Sequence, residues 1–387
     1  MSLVTVGVSV AIVVGFGGIY LWQRNKSFQK QASNDLKEFA VKIRTQPKIY
    51  DFPIRLLPSN TFTGQQWVEE DGCGAEIVKK FTNHINDPNI QQSINSLKFI
   101  TYNIWFSTHY QIQRTKALLE CLAETDADVV CLQEVLTFTL DLISENPFIR
   151  ENYILSDLNG TTFEGYGVVI LLHKRVAVQC SGFQFYIRSL PSIYSRRALF
   201  LDLLFADQNE KVYNIARICT VHLESSGSQT RTEQLTLITN IFSDDFPYNP
   251  AGKVIEMSAS IQHHPNIHYF LMGDCNFDPA FHRQHGEGEA KEELVVKRFD
   301  FTDCWELLRP EENGFTMPKN GPNFAPRRID RVLVKSTKFV PINIDLLGTE
   351  NLPGIDCDTC SGNGRPCSIS DHFGLTATLN FVGKKSE

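Results

Sequence analysis

Residues 268–277 read HYFLMGDCNF. The aromatic and aliphatic run Tyr269 to Met272 has the composition of a buried β-strand. It stops on Gly273, Asp274 and Asn276, which a purely structural strand does not need. One Asp or Asn at a strand end is an ordinary turn former. The pattern recurs, however. TYNIWF (101–106) carries Asn103, LQEV (132–135) carries Glu134, and VHLES (221–225) carries His222 and Glu224. RRIDR (327–331) carries Asp330, and SDHFGL (370–375) carries Asp371 and His372. Polar residues at like ends of neighbouring strands converge on one rim, where binding and catalytic groups sit.

Working outward, strands are expected at KFITYNIWF (98–106), ADVVCLQEV (127–135), YGVVILLH (166–173), VAVQCSGFQFYI (176–187), RALFLDLLFA (197–206) and VYNIARICTVHL (212–223). RRIDRVLVKS (327–336), KFVPINIDLL (338–347) and HFGLTATLNF (372–381) close the chain as strands. Helical spacing of Ile112, Leu118, Leu119 and Leu122 predicts a helix over Gln111–Glu124. Others are expected over Thr137–Ile149 and Thr232–Phe242, and residues 282–293 are expected as a polar surface loop. Hairpin-like runs mixed with helical crossovers give an α/β fold with two packed mixed sheets and helices outside. No GxGxxG follows an early strand, which excludes a dinucleotide-binding pattern.

The chain has 387 residues, 42% of them from the AVILMFWYC set and 21% charged, which excludes a disordered or polytopic membrane protein. Ten Cys are too few for a disulfide scaffold. Net charge is −7. Between Trp22 and Ile49, seven Lys/Arg against Asp35 and Glu38 leave +5, so the remainder sums to −12. An acidic body argues against coating duplex nucleic acid through phosphate neutralisation. Leu3 to Trp22 is uncharged for twenty residues, long enough to span about 30 Å of hydrocarbon. We therefore expect a single-pass transmembrane anchor over 1–25, a basic stalk and lead-in arm over 26–96, and a catalytic domain over 97–384. Basic residues following the apolar run place the body on the cytosolic side; the organelle is left open.

The polar set contains carboxylate, amide and imidazole groups without a Cys–His cluster, which suits Mg²⁺ more than zinc. Glu134 is the strongest ligand candidate. Asp274 and Asn276, two apart on a strand, are expected on one face, positioned to activate a water. His222 and His372 are expected to donate to phosphoryl oxygens, with Asp330 orienting His372. That chemistry is hydrolysis of a phosphoester without a covalent enzyme intermediate.

In order and spacing, TYNIWF, LQEV, HLES, GDCNF, RRIDR and SDHFGL resemble the endonuclease/exonuclease/phosphatase superfamily. The nearest pattern is the type 2 5′-tyrosyl-DNA phosphodiesterases, through HLESSGSQTRTEQL, the YGVVILLHK and RRALFLDLLF pair, and the closing motifs. The resemblance implies a four-layer α/β sandwich and a Mg²⁺-dependent phosphodiesterase, with Mn²⁺ as a substitute, acting on 5′-phosphotyrosyl nucleic-acid ends. It implies Asn103, Glu134 and Asp371 at the metal, Asp274 and Asn276 at the water, and His222, Ser225 and His372 on the phosphate. Arg196, Arg197 and Trp105 are expected as substrate contacts. Tyr102 stands where that branch usually has Trp, and Asp278 where it carries Arg.

Two other readings stand beside this one: a membrane-anchored lipid phosphodiesterase or phosphoinositide phosphatase of the same fold, and a membrane-tethered interaction protein with a dead site. Cys357, Cys360 and Cys367 in CDTCSGNGRPC read either as a zinc-bound or redox-sensitive loop or as free thiols on a Gly-rich loop. His263, His264, His268, His282 and His285 read as surface histidines.

Overall fold

A computed structural model describes residues 54–70, 94–180, 182–207, 212–243, 266–284, 289–318, 325–352, 355 and 367–382. The expected anchor, most of the stalk, Cys357 and Cys360 lie outside these residues. Among the described residues no helix is long and apolar enough to cross a membrane.

Two mixed sheets carry the fold. The strands are β1 Arg55–Leu57, β2 Ser59–Phe62, β3 Trp67–Glu70, β4 Ser96–Asn103, β5 Val129–Leu136, β6 Tyr153–Leu155, β7 Tyr166–His173 and β8 Gly182–Ser189. They continue as β9 Arg197–Asp207, β10 Val212–His222, β11 Asn266–Asp274, β12 Thr302–Asp303, β13 Asp330–Lys335, β14 Phe339–Leu347 and β15 Gly374–Phe381. One sheet runs β1-β8-β9-β10-β11-β13-β12 and the other β14-β15-β4-β5-β7-β6-β2-β3. Residues 54–70, expected within the lead-in arm, are strands of both sheets: β1 pairs with β8, and β2 with β6.

Period-two alternation sorts each strand into faces. Leu97 and Phe99 of β4, Ala216 and Ile218 of β10, Phe270 and Met272 of β11, and Val332 and Val334 of β13 fill the layer between the sheets. Phe99 and Phe270 meet across it at 5.2 Å between centroids. Each fully buried side chain of this size contributes about 1.5–3 kcal/mol. The opposite face of β4 and β5 packs on α1 Gln111–Thr125, α2 Thr137–Glu145 and α3 Pro147–Asn152 through Ile100, Leu132, Leu118, Leu140 and Ile149. The outer face of the other sheet packs on α5 Ser228–Ser243 and α7 Lys291–Arg298. The order helix, sheet, sheet, helix is the expected four-layer sandwich.

Three expected elements differ. The helix predicted over 137–149 is two helices, because Asn146, preceding Pro147, is extended (ψ 129°) and caps α3 by accepting from Ile149 N. The strand predicted over 176–187 begins only at Gly182; before it, His173 Nδ1 accepts from Arg175 N and opens the helical turn α4 Lys174–Ala177. The predicted loop over 282–293 instead takes in the end of α6 Pro279–Gln284 and the start of α7. Glu292 and Glu293 there are buried against Arg231 and Arg331. His268, expected at the surface, is 1% exposed. Among the described residues the last helix, α8 Cys304–Leu308, is capped by Asp303.

Candidate active site

The parallel strands β4 and β5 end at the same rim as the parallel pair β10 and β11, and antiparallel β13 starts there. Asn103, His222, Asp274 and Asp330 are therefore terminal residues on inter-sheet faces. His372 precedes β15 at the same end. Glu134 arrives differently. Leu132 faces the helices, so regular alternation would send Glu134 there too. A bulge between Leu132 and Val135 inserts a residue, and Glu134 takes φ 61°. Val135 returns to the helix layer while Glu134 turns to the inter-sheet rim. A non-glycine residue in this region costs about 1–2 kcal/mol.

Asn103 binds the rim together. Its Nδ2 donates to Glu134 Oε1 at 3.2 Å and to Asp274 Oδ2 at 2.9 Å. Its Oδ1 accepts from Trp105 N at 3.1 Å. Asn103, expected as a metal ligand, thus shows the carboxylates its nitrogen, which has no lone pair free for a cation, and holds them side by side. Phe106 N completes Glu134 by donating to Oε2 at 2.9 Å. His222 Nε2 lies 3.3 Å from Asp274 Oδ2 and 3.8 Å from Glu134 Oε1. On its other side Arg196 Nη1 donates to Nδ1 at 2.8 Å. A guanidinium only donates, so Nδ1 accepts and the proton sits on Nε2. His372 Nδ1 meets Asp330 Oδ2 at 2.8 Å. Ser370 Oγ donates to Asn103 O at 2.6 Å and accepts from His372 N at 3.2 Å, tying the two ends of the motif set together.

Burial and charge set the protonation. Burial, aided by the Asp371 charge, pushes Glu134 up to about 7. Burial, opposed by Asp274 and reinforced by Arg196 and His372, pushes His222 down to about 3. For His372 burial acts downward, but Asp330, Asp274 and Asp371 hold it well above its ordinary value. The rim thus pairs a neutral imidazole with a cationic one.

The donors of Glu134, His222 and Asp274 lie within 4.8 Å of one another, as do those of Asp274, Asp330 and His372. This oxygen-rich set fits a hard divalent cation, whose charge would offset the burial that raises Glu134. Glu134 and Asp274 are the residues that would hold it. Asp371 stands outside both groups, its Oδ1 accepting from Ser370 Oγ at 3.3 Å.

Other expected residues fall elsewhere. Asn276 does not share Asp274's face, because β11 ends at Asp274. It adopts φ 53°, donates its Nδ2 to Leu223 O, and donates its N–H to Asp274 Oδ1. Trp105 points to the helix side, where Arg114 lies over its ring at 4.7 Å. Arg197 is tied to Thr162 O and Glu164. Ser225 is exposed, and its carbonyl accepts from Arg231 Nη1. Asp278, at the place of an expected Arg, caps α6 through Ala280 N and Phe281 N and accepts from Arg328 N.

Sequence reading missed the cleft beside His222. Tyr166, Tyr194, Arg196, Phe163 and Thr162 line a shallow cleft there. Arg196 lies over Tyr166 at 5.4 Å and Tyr194 at 5.5 Å, and Phe106 stacks on Tyr166 at 4.5 Å. It also missed Arg114, which donates to the carbonyls of Ile104, Trp105, Ser107, His109 and Ile369 and so ties the loop after Asn103 to the segment before His372. Neither Tyr166 nor Arg114 breaks its local pattern, so no sequence signal marks it.

A family model described as the Endonuclease/Exonuclease/phosphatase family matches residues 100–372, from within β4 to the rim histidine. The chain belongs to this family. It is a metal-dependent phosphoester hydrolase, and the rim cluster is the site that such an activity needs. Among solved structures, D. rerio TDP2 complexed with single strand DNA product superposes with a TM-score of 0.52 at 23% identity, covering 74% of this chain and 99% of that one. Truncated Caenorhabditis elegans TDP2 gives 0.52 at 18% identity, covering 74% and 97%. An endonuclease/exonuclease/phosphatase family protein from Bacteroides thetaiotaomicron gives 0.52 at 16%, covering 75% and 99%. At these identities the likeness is one of fold. No curated protein matches by sequence.

Proposed function

We propose that this family member uses Mg²⁺, with Mn²⁺ as a substitute, to hydrolyse a phosphodiester joining a nucleic-acid 5′ end to a phenolic oxygen such as that of tyrosine. The observation that carries the reading is the cleft beside His222, where the Arg196 guanidinium lies over Tyr166 and Tyr194. A cation among aromatic faces suits an aryl group leaving with negative charge. Tyrosine, with a pKa near 10, leaves as phenolate without strong acid help. The motif resemblance to 5′-tyrosyl-DNA phosphodiesterases and the fold likeness to a TDP2 holding DNA product support the same substrate class.

In this reading Asp274 takes a proton from the attacking water. Its Oδ1 is fixed by Asn276 N–H and its Oδ2 by Asn103, at 2.9 Å each. The water oxygen bonds to phosphorus as the phosphorus–phenolic oxygen bond breaks, and the electron pair departs on the phenolate. His372, kept cationic by Asp330, and His222, with its proton on Nε2, donate to the non-bridging oxygens where charge accumulates. A divalent ion at Glu134 and Asp274 supplies Lewis-acid stabilisation of that charge when bound.

The uncharged stretch Leu3–Trp22 favours a second reading, with the domain tethered at a membrane, facing the cytosol, and acting on a lipid phosphoester. One assay separates the alternatives. The full chain in detergent is given a 5′-phosphotyrosyl oligonucleotide, sphingomyelin and inositol polyphosphates, with Mg²⁺ and with EDTA. Mg²⁺-dependent release of tyrosine is the expected result. Turnover of lipid or inositol phosphate alone transfers the assignment to the second reading, and a chain inert to all three removes both substrate readings.

A further inference from the structure

Glu224, two residues beyond His222, is 1% exposed, and both of its carboxylate oxygens are occupied. Oε2 accepts from Ser192 Oγ at 2.8 Å and Ile193 N at 3.2 Å. Oε1 accepts from Ser226 Oγ at 3.2 Å and Ser226 N at 3.5 Å. Ser192 Oγ relays the grip by accepting from Tyr194 N at 2.9 Å. Gln234 of α5 adds a second tie, donating to Pro191 O at 2.7 Å and accepting from Glu224 N at 2.9 Å. The loop they hold is closed by Leu190 N donating to Arg196 O, and it contains Ser195 at φ 55°. A short loop with a residue in this region keeps its shape only when its surroundings over-determine it. This loop carries Tyr194 and Arg196 to the cleft.

We infer that Glu224 is a positioning residue that sets leaving-group specificity, holding the 190–196 loop so that Arg196 stands over Tyr166 and against His222. The inference rests on the phenolic leaving group proposed above. Glu224 touches no reacting atom; it acts through Arg196. Its two oxygens each receive a backbone N–H, which cannot turn round. A glutamine amide in either orientation would therefore set its NH₂ against Ile193 N–H or Ser226 N–H. Glu224→Gln is nearly isosteric yet releases the loop.

The test is a series of substituted phenyl esters of thymidine 5′-phosphate, measured on the full chain with Mg²⁺. If Arg196 stabilises the departing phenolate, its loss matters most for poor leaving groups. In Glu224→Gln, kcat/KM for the unsubstituted phenyl ester should fall by about 100-fold, the scale of one lost transition-state donor. The nitrophenyl ester should fall much less, so log kcat/KM depends more steeply on phenol pKa. Ser192→Ala, which removes only the hydroxyl relay, should steepen the slope by a smaller amount and guards against a Glu224 variant that does not fold. Glu224→Gln combined with Arg196→Met should be no worse than Arg196→Met alone, because the two act as one unit. An equal fall on every ester, or additive losses in the double variant, overturns the inference and leaves Glu224 structural. A wild type inert to every ester removes the proposed function itself, and this inference with it.

Discussion

Asn103→Ala is the sharpest perturbation of the rim. It removes the amide that donates at 3.2 and 2.9 Å to Glu134 and Asp274 and leaves their oxygens facing each other within 4.8 Å. Two unit charges 4.8 Å apart repel by about 3.5 kcal/mol at an effective dielectric of about 20. Glu134 stands at about 7, so below neutrality protonation hides part of that repulsion. The comparison therefore belongs at pH 8, where the wild-type carboxylate is ionised. The expected cost in EDTA is about 3 kcal/mol. For a domain of about 300 residues that lowers Tm by about 5 °C. A divalent cation held by the two carboxylates replaces the missing donor, so saturating Mg²⁺ should close most of the gap. The assay is thermal unfolding of both proteins in EDTA and in Mg²⁺, beside kcat/KM on the nitrophenyl ester, which should fall by about two orders of magnitude. A deficit below about 1 kcal/mol, or one that Mg²⁺ leaves unchanged, refutes the claim that these two acids share one cation.

Away from the rim, Asp303 accepts from Arg328 Nη1 at 2.6 Å and Arg331 Nε at 2.8 Å. Burial opposes its charge, but the two guanidiniums win and hold it at about 2. Its contribution is present above the ordinary carboxylate pKa and is lost as pH falls from about 4 through 2. Asp303→Asn, breaking a buried pair, should cost about 3–5 kcal/mol in urea unfolding at pH 7. His268 has a slope of the same sign at higher pH. Burial, with Lys338 nearby, pushes it down to about 4. The unfolded chain therefore binds the extra proton first, and stability falls between about 6.5 and 4 by about 3 kcal/mol. His268→Gln should flatten that limb; an unchanged pH profile would mean the imidazole is not what titrates. Gly273 has φ 134°, and a Cβ there would sit 2.0 Å from Val221 O. Gly273→Ala should yield little soluble protein, and a variant melting like wild type would disprove the close approach of β10 and β11.

Much of this was legible because it depends on period and order. The inter-sheet layer follows from alternation in β4, β10 and β11, and the rim follows from polar residues at their ends. What stayed hidden depends on where the chain departs from period. Asn276 seemed to share Asp274's face only while the strand was assumed to continue past Asp274. Trp105, at φ 60°, turns under Arg114 rather than toward the phosphate side. Arg196 and Arg197 are adjacent and alike in sequence, yet one reaches His222 and the other Glu164. Composition cannot separate them; the exit of the 190–196 loop into β9 does.

The same departures explain how a site is built from six strands without spoiling the core between them. A regular β5 would offer the rim Gln133 or Val135 and turn Glu134 toward α2. Gln133 does face inward, and its Nε2 donates to Thr101 Oγ1 and Thr220 Oγ1 one layer below the cluster. The bulge adds a charge to that face without displacing the polar floor beneath it. Asn276 places its strain just after Asp274, where its own N–H fixes the proposed base. The strain at Trp105, Glu134 and Asn276 is tolerated because each lies just beyond a strand end or at a bulge. There the backbone ladder loses little, and the side chain or N–H it redirects is met at once by Asn103, Phe106 or Asp274.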